Sequence, residues 1–323
     1  MTPPRAASVA STSADRDVTA DVRHALTQQP RQLPSRYLYD ALGSALFDAI
    51  CQLPWYPITT AETRLLAAHA SEILSGAFAP ARVVELGAGN GAKLAVLLGA
   101  GRPATPPVVH LVDVSPAALA DAGRAIAAVS SGAIRLHQAT FEAGLAEISA
   151  APHSGRTLVA FLGSNIGNLD GDAARAFLRE MRAGLSPGDL LLLGVDLVKP
   201  EAEMVLAYDD PLGVTAAFNL NLLIRLNRDL AANFDVRAFE HRAVWNGRES
   251  RMEMHLVSRA EQRVRVAAAD LELTLRAGES IWTESSYKYT VEGVEQLLDD
   301  CGFRTRARWV DGIAPFALTL AEC

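Results

Sequence analysis

Cysteine is scarce in this chain of 323 residues: there are three. Cys51, Cys301 and Cys323 are far apart and form no Cys-x-x-Cys pair, which excludes a disulfide framework and a thiolate zinc site, and no metal is expected. Basic charge is also lacking. With a formal net charge of -7, the chain has no excess of lysine and arginine to release counterions from nucleic acid. No apolar run reaches the ~18 residues that a membrane-spanning helix needs. The N-terminus has neither the basic start nor the apolar stretch of a secretory signal, so Met1 to Asp17, rich in Ala, Ser, Thr and Pro, is read as a disordered tail and the protein as cytoplasmic. Half of the residues are apolar and 21% are charged, enough for one large core or two modest ones. These exclusions favour small-molecule chemistry, without nucleic acid or membrane; the expected state is a monomer.

The most telling segment is Val83 to Gly91, Val-Val-Glu-Leu-Gly-Ala-Gly-Asn-Gly. An apolar strand that runs into Gly87, Gly89 and Gly91 predicts a tight turn whose bare backbone another molecule can approach. The spacing differs from the dinucleotide fingerprint, which carries its third glycine three residues after the second. Glu85 opens the turn, and an acid suits a cationic ligand better than a pyrophosphate. The segment resembles motif I of class I S-adenosylmethionine (SAM) methyltransferases.

Strands and helices then alternate, as in a doubly wound α/β domain. Strands are expected at Val83 to Leu86, Val108 to Val112, Ile134 to His137, Leu158 to Leu162 and Leu190 to Val195. Ala174, Phe177, Leu178, Met181 and Leu185 recur with helical period before Ser186-Pro187-Gly188-Asp189 stops the run. Asp113 ends the second strand about twenty residues beyond the glycines, where a carboxylate meets ribose hydroxyls in this topology. From His241 the period changes to two, with an Asn246-Gly247 turn, then Met252, Met254 and Leu256, and later Leu271, Leu273 and Leu275: an antiparallel sheet. A helix over Val291 to Cys301 and strands at Thr305 to Val310 and Phe316 to Leu320 would complete the first sheet. The expected division is a tail (1–17), an N-terminal part of a substrate domain (18–60), a Rossmann-like domain (61–199), an inserted α+β substrate domain (200–286) and a return to the Rossmann-like domain (287–323).

Several segments carry a closer likeness. Tyr37 to Ser44 with Leu46-Phe47-Asp48, Phe161 to Leu169, Ala207 to Asp210 with Gly213 to Asn219, and Thr283 to Ser286 resemble, in order, those of the histidine Nα-methyltransferases. The resemblance runs from about Arg23 to the C-terminus. It implies a SAM-dependent enzyme that trimethylates histidine to hercynine, the first step of ergothioneine biosynthesis. By that resemblance Asn168 and Tyr208 hold the amino-acid backbone, Tyr39 lies near the amine and Gly163 contacts through its main chain. Tyr39 and Asn168 are the candidate catalytic residues. Glu284 and Ser286 share a parity about 7 Å apart along an extended segment, a spacing that can bracket an imidazole, with Glu284 accepting and Ser286 donating or accepting. Tyr56 matches a ring contact of the family, and Met254 would line the ring.

The cofactor set is Glu85, Gly87, Gly89, Gly91, Lys93, Asp113, Thr140 and Phe141. Two features of this set depart from the family pattern. Motif I here is nearer the general methyltransferase form, and Thr140 stands before Phe141 where an acid often accepts from the adenine amino group, leaving adenine to main-chain groups and Thr140. The competing reading is the same fold acting on another aromatic amino acid or amine, since the cofactor domain does not distinguish them.

Overall fold

The computed structural model describes residues 13–152 and 154–323. Residues 1–12 of the expected tail lie outside the described residues. Residues 13–17 depart from the expectation, because the first helix, α1 (Ser13–Thr27), already begins at Ser13. The chain divides into two compact units, one of residues 13–52, 205–244 and 253–284 and the other of residues 53–204, 245–252 and 285–323.

The larger unit is built on a seven-stranded sheet. Its strands are β2 (Arg82–Leu86), β3 (Val108–Asp113), β4 (Ile134–Gln138), β5 (Thr157–Phe161), β6 (Leu190–Asp196), β12 (Arg304–Val310) and β13 (Phe316–Glu322). The order is β12-β13-β6-β5-β2-β3-β4; all strands run in one direction except β13, which is antiparallel to both of its neighbours, β12 and β6. All residues of β2, β5 and β6 are buried, which is why their sequences are largely apolar without polar alternation, Arg82 and Glu85 of β2 being buried charged exceptions. Helix α3 (Ile58–Leu74) packs against β13, α4 (Ala92–Gly101) against α3, and α5 (Pro116–Ala127) against β3 and β4. Helices α6 (Phe141–Ala150), α7 (Gly171–Ala183) and α10 (Val291–Asp300) join the sheet in a core that includes Val84, Leu86, Phe161, Phe177, Leu178, Leu193 and Leu298.

Helix α7 shows how sequence sets these elements. Asp170 caps it by accepting from the Ala173 amide at 2.8 Å, and Ala174, Phe177, Leu178 and Met181 form its buried face. The cap is worth about 1 kcal/mol and each large buried side chain roughly 1.5–3 kcal/mol, so burial dominates. The parallel strands place the β2–α4, β3–α5 and β5–α7 turns at one edge of the sheet, where ligands bind in open α/β folds.

The smaller unit holds α1, the short β1 (Arg31–Gln32), α2 (Ala41–Ile50), the C-terminal part of α8 (Glu201–Tyr208) and α9 (Val214–Asp229). It also holds β9 (Gln262–Val266) paired antiparallel with β10 (Leu271–Leu275). A four-stranded sheet has the order β1-β11-β8-β7, where β7 is Phe239–Asn246, β8 Arg251–Ser258 and β11 Ser280–Tyr287. The chain passes between units inside β7, β8 and β11, so Trp245 to Met252 and residues from Ser285 onward belong to the larger unit. Tyr56 also falls there, since that unit starts at Leu53. The Asn246-Gly247 expectation needs correction: Asn246 ends β7, residues 247–250 form the turn, and Ser250 takes the left-handed conformation with φ 50°.

Candidate active site

In the larger unit, β2 runs into a turn in which Gly87, Gly89 and Gly91 have φ of +77°, +52° and +74°. A Cβ on Gly91 would lie 2.6 Å from Ala122 Cα, so the turn depends on a bare backbone for close packing against α5. A Cβ on Gly87 would meet Asn165 Nδ2 at 3.0 Å and the Phe141 ring at 3.3 Å, whereas one on Gly89 would meet nothing within 4 Å. Asp113, at the end of β3, fixes this geometry. Its Oδ2 accepts from the Gly89 amide at 3.1 Å and its Oδ1 from the Ser115 amide at 2.9 Å. A carboxylate oxygen offers more than one lone pair, so ribose hydroxyls can still donate to Asp113.

Glu85 is buried in β2 and its Oε2 has no hydrogen-bond partner among the described residues. Burial pushes its carboxyl up to about 8; Glu62 and Asp113 add to the shift and Lys93 opposes it. An unsatisfied buried carboxylate oxygen is costly and fits a ligand that brings a cation or N–H donor. The glycine turn, Asp113 and Glu85 therefore suit SAM, which carries an ammonium, a sulfonium and a ribose. Thr140 has a structural task as well: it caps α6, its hydroxyl accepting from the Ala143 amide at 3.3 Å.

Glu62 on α3 was not singled out from the sequence. It is wholly buried, accepts the Gly163 amide on Oε1 and Oε2 at 2.8 and 2.9 Å, and pairs with Lys93 Nζ at 2.6 Å. A Cβ at Gly194 would lie 2.1 Å from Glu62 Oε1, so the glycine in β6 supplies the space for that carboxylate. The sequence did hold a signal, an acid inside the apolar face of Ile58, Ala61, Glu62, Leu65 and Leu66. Glu62 links the candidate cofactor residue Lys93 to the turn after β5.

That turn carries Gly163, with φ +76°, Ser164, with φ 57°, and a 3-10 segment from Asn165 to Asn168. Asn168 is exposed at the carboxyl edge of the sheet. A Cβ on Gly167 would lie 2.8 Å from the Tyr287 carbonyl oxygen, so the end of β11 packs directly on this turn. Ser164 Oγ accepts from the Asp196 amide at 3.0 Å. Asp196 is paired with Lys199 and, at 2.8 Å, with Lys288, whose Nζ donates to Ser286 Oγ at 3.0 Å. Burial lowers the Lys199 ammonium, and Asp196 opposes the shift. Ser286 was expected to donate or accept at a ring; the structure shows its oxygen already accepting from an ammonium. Tyr56 is buried just before α3, its amide donating to the Leu53 carbonyl at 3.1 Å.

The smaller unit holds Tyr39, Tyr208, Met254 and Glu284. Tyr39 follows a 3-10 turn and meets Phe47 and Phe218 edge-on, each with ring centroids 5.5 Å apart. Although Tyr39 keeps 37% of its surface accessible, the protein packed around it raises the phenol well above its usual range, with Glu284, Tyr208 and Cys51 adding to the shift. Tyr208 is buried at the end of α8, and its carbonyl accepts from His241 Nε2 at 2.8 Å. Asn219 Nδ2 donates to His241 Nδ1 at 2.9 Å, which fixes the neutral tautomer; burial lowers the His241 pKa in the same sense. Asp210 is a helix cap: it accepts from the amides of Leu212, Val214 and Thr215. Met254 is buried in β8 and its carbonyl accepts from Thr283 Oγ1 at 2.9 Å. Glu284 is half-buried, and its carbonyl accepts from Trp282 Nε1 at 2.8 Å. Phe47 and Phe218 were not picked out as site residues, because only the tertiary structure sets their rings against Tyr39.

The chain matches the family model described as histidine-specific, SAM-dependent methyltransferase over residues 18–323. It is 45% identical to the histidine N-alpha-methyltransferase of Mycolicibacterium smegmatis, covering 97% of both chains. It is 42% identical to the enzyme of that name from Mycobacterium tuberculosis over 93% of both. With ergothioneine biosynthesis protein 1 of Neurospora crassa it shares 28% identity, over 88% of this chain and 32% of that one. A match over nearly the whole chain, together with a glycine turn and buried acid that suit SAM, shows that this protein belongs to the family of histidine-specific, SAM-dependent methyltransferases.

Proposed function

We propose that the protein transfers three methyl groups in succession from SAM to the α-amino nitrogen of L-histidine, giving hercynine for ergothioneine synthesis. The observation that carries the substrate is the 45% identity over 97% of the chain to a histidine N-alpha-methyltransferase. The presence of Glu284 and Ser286 supports the same reading. When bound, SAM supplies an electrophilic methyl group on sulfur, and the in-line displacement asks the protein for alignment and exclusion of water.

Glu85, Asp113, Lys93 and the glycine turn hold the donor, with Phe141 packed beside the turn and Thr140 capping the helix that carries it. The acceptor nitrogen must be unprotonated, and an α-amino group titrates near ~8. Tyr39 suits this requirement because its raised pKa keeps it a neutral phenol, able to hydrogen-bond the amine without adding a charge. The exposed amide of Asn168 acts in the same neutral way, on the amine or on the substrate carboxylate. One proton leaves the nitrogen before each transfer, three in all from the α-ammonium of histidine, and the trimethylated product is a permanent cation, which an aromatic face attracts. Tyr39, braced by Phe47 and Phe218, offers such a face. Tyr208 holds the amino-acid backbone, its own backbone fixed by His241; Gly163 contacts the substrate through its main chain. Tyr56, Met254, Glu284 and Ser286 recognise the ring.

The protein acts as a cytoplasmic monomer on this reading; no helix of the described residues is long and apolar enough to cross a membrane. The test is mass spectrometry of an amino-acid panel incubated with SAM. Histidine should gain one, two and three methyl groups, and turnover of another aromatic amino acid in its place would overturn the substrate assignment.

A further inference from the structure

Within the larger unit, the side chain of Asn165 lies between the turn after β2 and the turn after β5. These two strands are neighbours, and the sheet grows away from them in opposite directions, through β3 and β4 on one side and β6 and β13 on the other. In an open α/β sheet that reversal creates the crevice in which ligands bind. Asn165 opens the 3-10 segment that follows β5 and is half-buried there. A Cβ on Gly87 would lie 3.0 Å from its Nδ2; one on Gly163 would lie 3.8 Å from its Oδ1 and 2.9 Å from Lys93 Nζ. The bare face of Gly87 is therefore covered by Asn165 and Phe141, whereas Gly89 faces open space. The amide reaches from the glycine turn to the space above Gly163 that the Lys93 ammonium borders.

We infer that Asn165 is a further donor-binding residue, its side-chain amide hydrogen-bonding the amino-acid end of SAM beside Lys93. Sheet order decides which end of the donor arrives there. Strands β3 and β4 lie on the side of β2 away from β5; Asp113 ends β3, and Thr140 and Phe141 follow β4. Ribose is the middle of the donor. With its nucleoside on the β3 and β4 side, SAM crosses the glycine turn and brings its sulfonium and amino acid to β5. That end is a zwitterion. Lys93 suits its carboxylate and Glu85 its ammonium, and a neutral amide, with donors and an acceptor, serves either without changing the balance of charge. An apolar side chain would cover Gly87 equally well, as Phe141 does, so packing alone gives no reason for an amide. The inference rests on the donor placement in the proposed function, with the ribose at Asp113.

The experiment measures dissociation constants by calorimetry for the wild type, Asn165→Ala and Asn165→Leu, with thermal unfolding to check that each variant folds. Three ligands are compared. SAM is the donor; S-adenosylhomocysteine keeps the amino-acid end and lacks the transferred methyl; methylthioadenosine keeps the nucleoside and lacks the amino acid. Both variants should bind SAM and S-adenosylhomocysteine about tenfold more weakly, the equivalent of one hydrogen bond, and methylthioadenosine as tightly as the wild type does. Equal loss for methylthioadenosine would mean that Asn165 only shapes the glycine turn, and would overturn the inference. So would a loss confined to SAM, which would put the amide at the methyl group. Wild-type affinities in Asn165→Leu, which keeps the bulk without a polar atom, would overturn it as well. Asp113→Ala should weaken all three ligands, because each carries the ribose. If it weakens none, the donor placement itself fails, a result distinct from any outcome at Asn165.

Discussion

Removing the charge of Glu85 should stabilise the protein in the absence of SAM, and by more at high pH than at low. The carboxyl is buried in β2 with an unpartnered Oε2, and its pKa is raised from an ordinary 4.5 to about 8. Between those values the folded protein holds a proton that the unfolded chain has released, so stability falls as pH rises through this window and levels off above it. A shift of about 3.5 units corresponds to roughly 5 kcal/mol at full ionisation. About 3 kcal/mol of that loss lies between about pH 6 and about pH 9. Glu85→Gln does not titrate and escapes it. Urea unfolding of the wild type and Glu85→Gln should show the variant gaining on the wild type by about that amount across this range. Saturating SAM should flatten the wild-type pH dependence, since its ammonium supplies the missing partner, and should bind the variant more weakly. A stability difference that is the same at both pH values would refute the argument.

Other perturbations test separate parts of the site. Asp113→Ala should raise the SAM dissociation constant by about tenfold, roughly 1.4 kcal/mol, through the lost ribose contact and a looser Gly89; calorimetry checks this, and unchanged affinity counts against the contact. Glu284→Ala should weaken histidine binding and leave SAM binding unchanged, and it should also lower the Tyr39 phenol pKa, which ultraviolet difference titration can follow, because the carboxylate helps to raise it. Gly194→Ala would drive a Cβ to 2.1 Å from Glu62 Oε1. Displacing a buried acid from its partners costs about 3–5 kcal/mol, so urea unfolding should show a loss of that size, whereas a near-neutral result would mean that Glu62 is held less tightly than its contacts imply.

The fold was legible in the sequence where the physical signal is local. Apolar-rich runs bounded by turn residues located β2 to β6; the signal is strongest in β5 and β6, which are buried throughout, and weakest in the edge strand β4, Ile-Arg-Leu-His-Gln. The 3.6-residue period located α7, and the change to period two located β7 and β8. The hairpin turn was misread because Asn246 and Gly247 satisfy the local preference of a two-residue turn, while strand pairing sets the loop at residues 247–250. The helix start at Ser13 was missed because Ser13 to Asp17, Ser-Ala-Asp-Arg-Asp, holds no large apolar residue to set a period.

The site divides in the same way. The amino-acid sequence by itself determined the donor turn, since three glycines after a buried strand leave few other backbones, and its likeness to one family named the substrate. Only the tertiary structure decided which groups are held by which. It brought Glu62 to Lys93 and Gly163 from distant parts of the chain, gave Thr140 a helix to cap, and fixed Ser286 as an acceptor from Lys288. Those assignments depend on burial and on hydrogen-bond direction, which no spacing in the sequence encodes: a carboxylate or an ammonium acquires its role from the partner that folding places within about 3 Å.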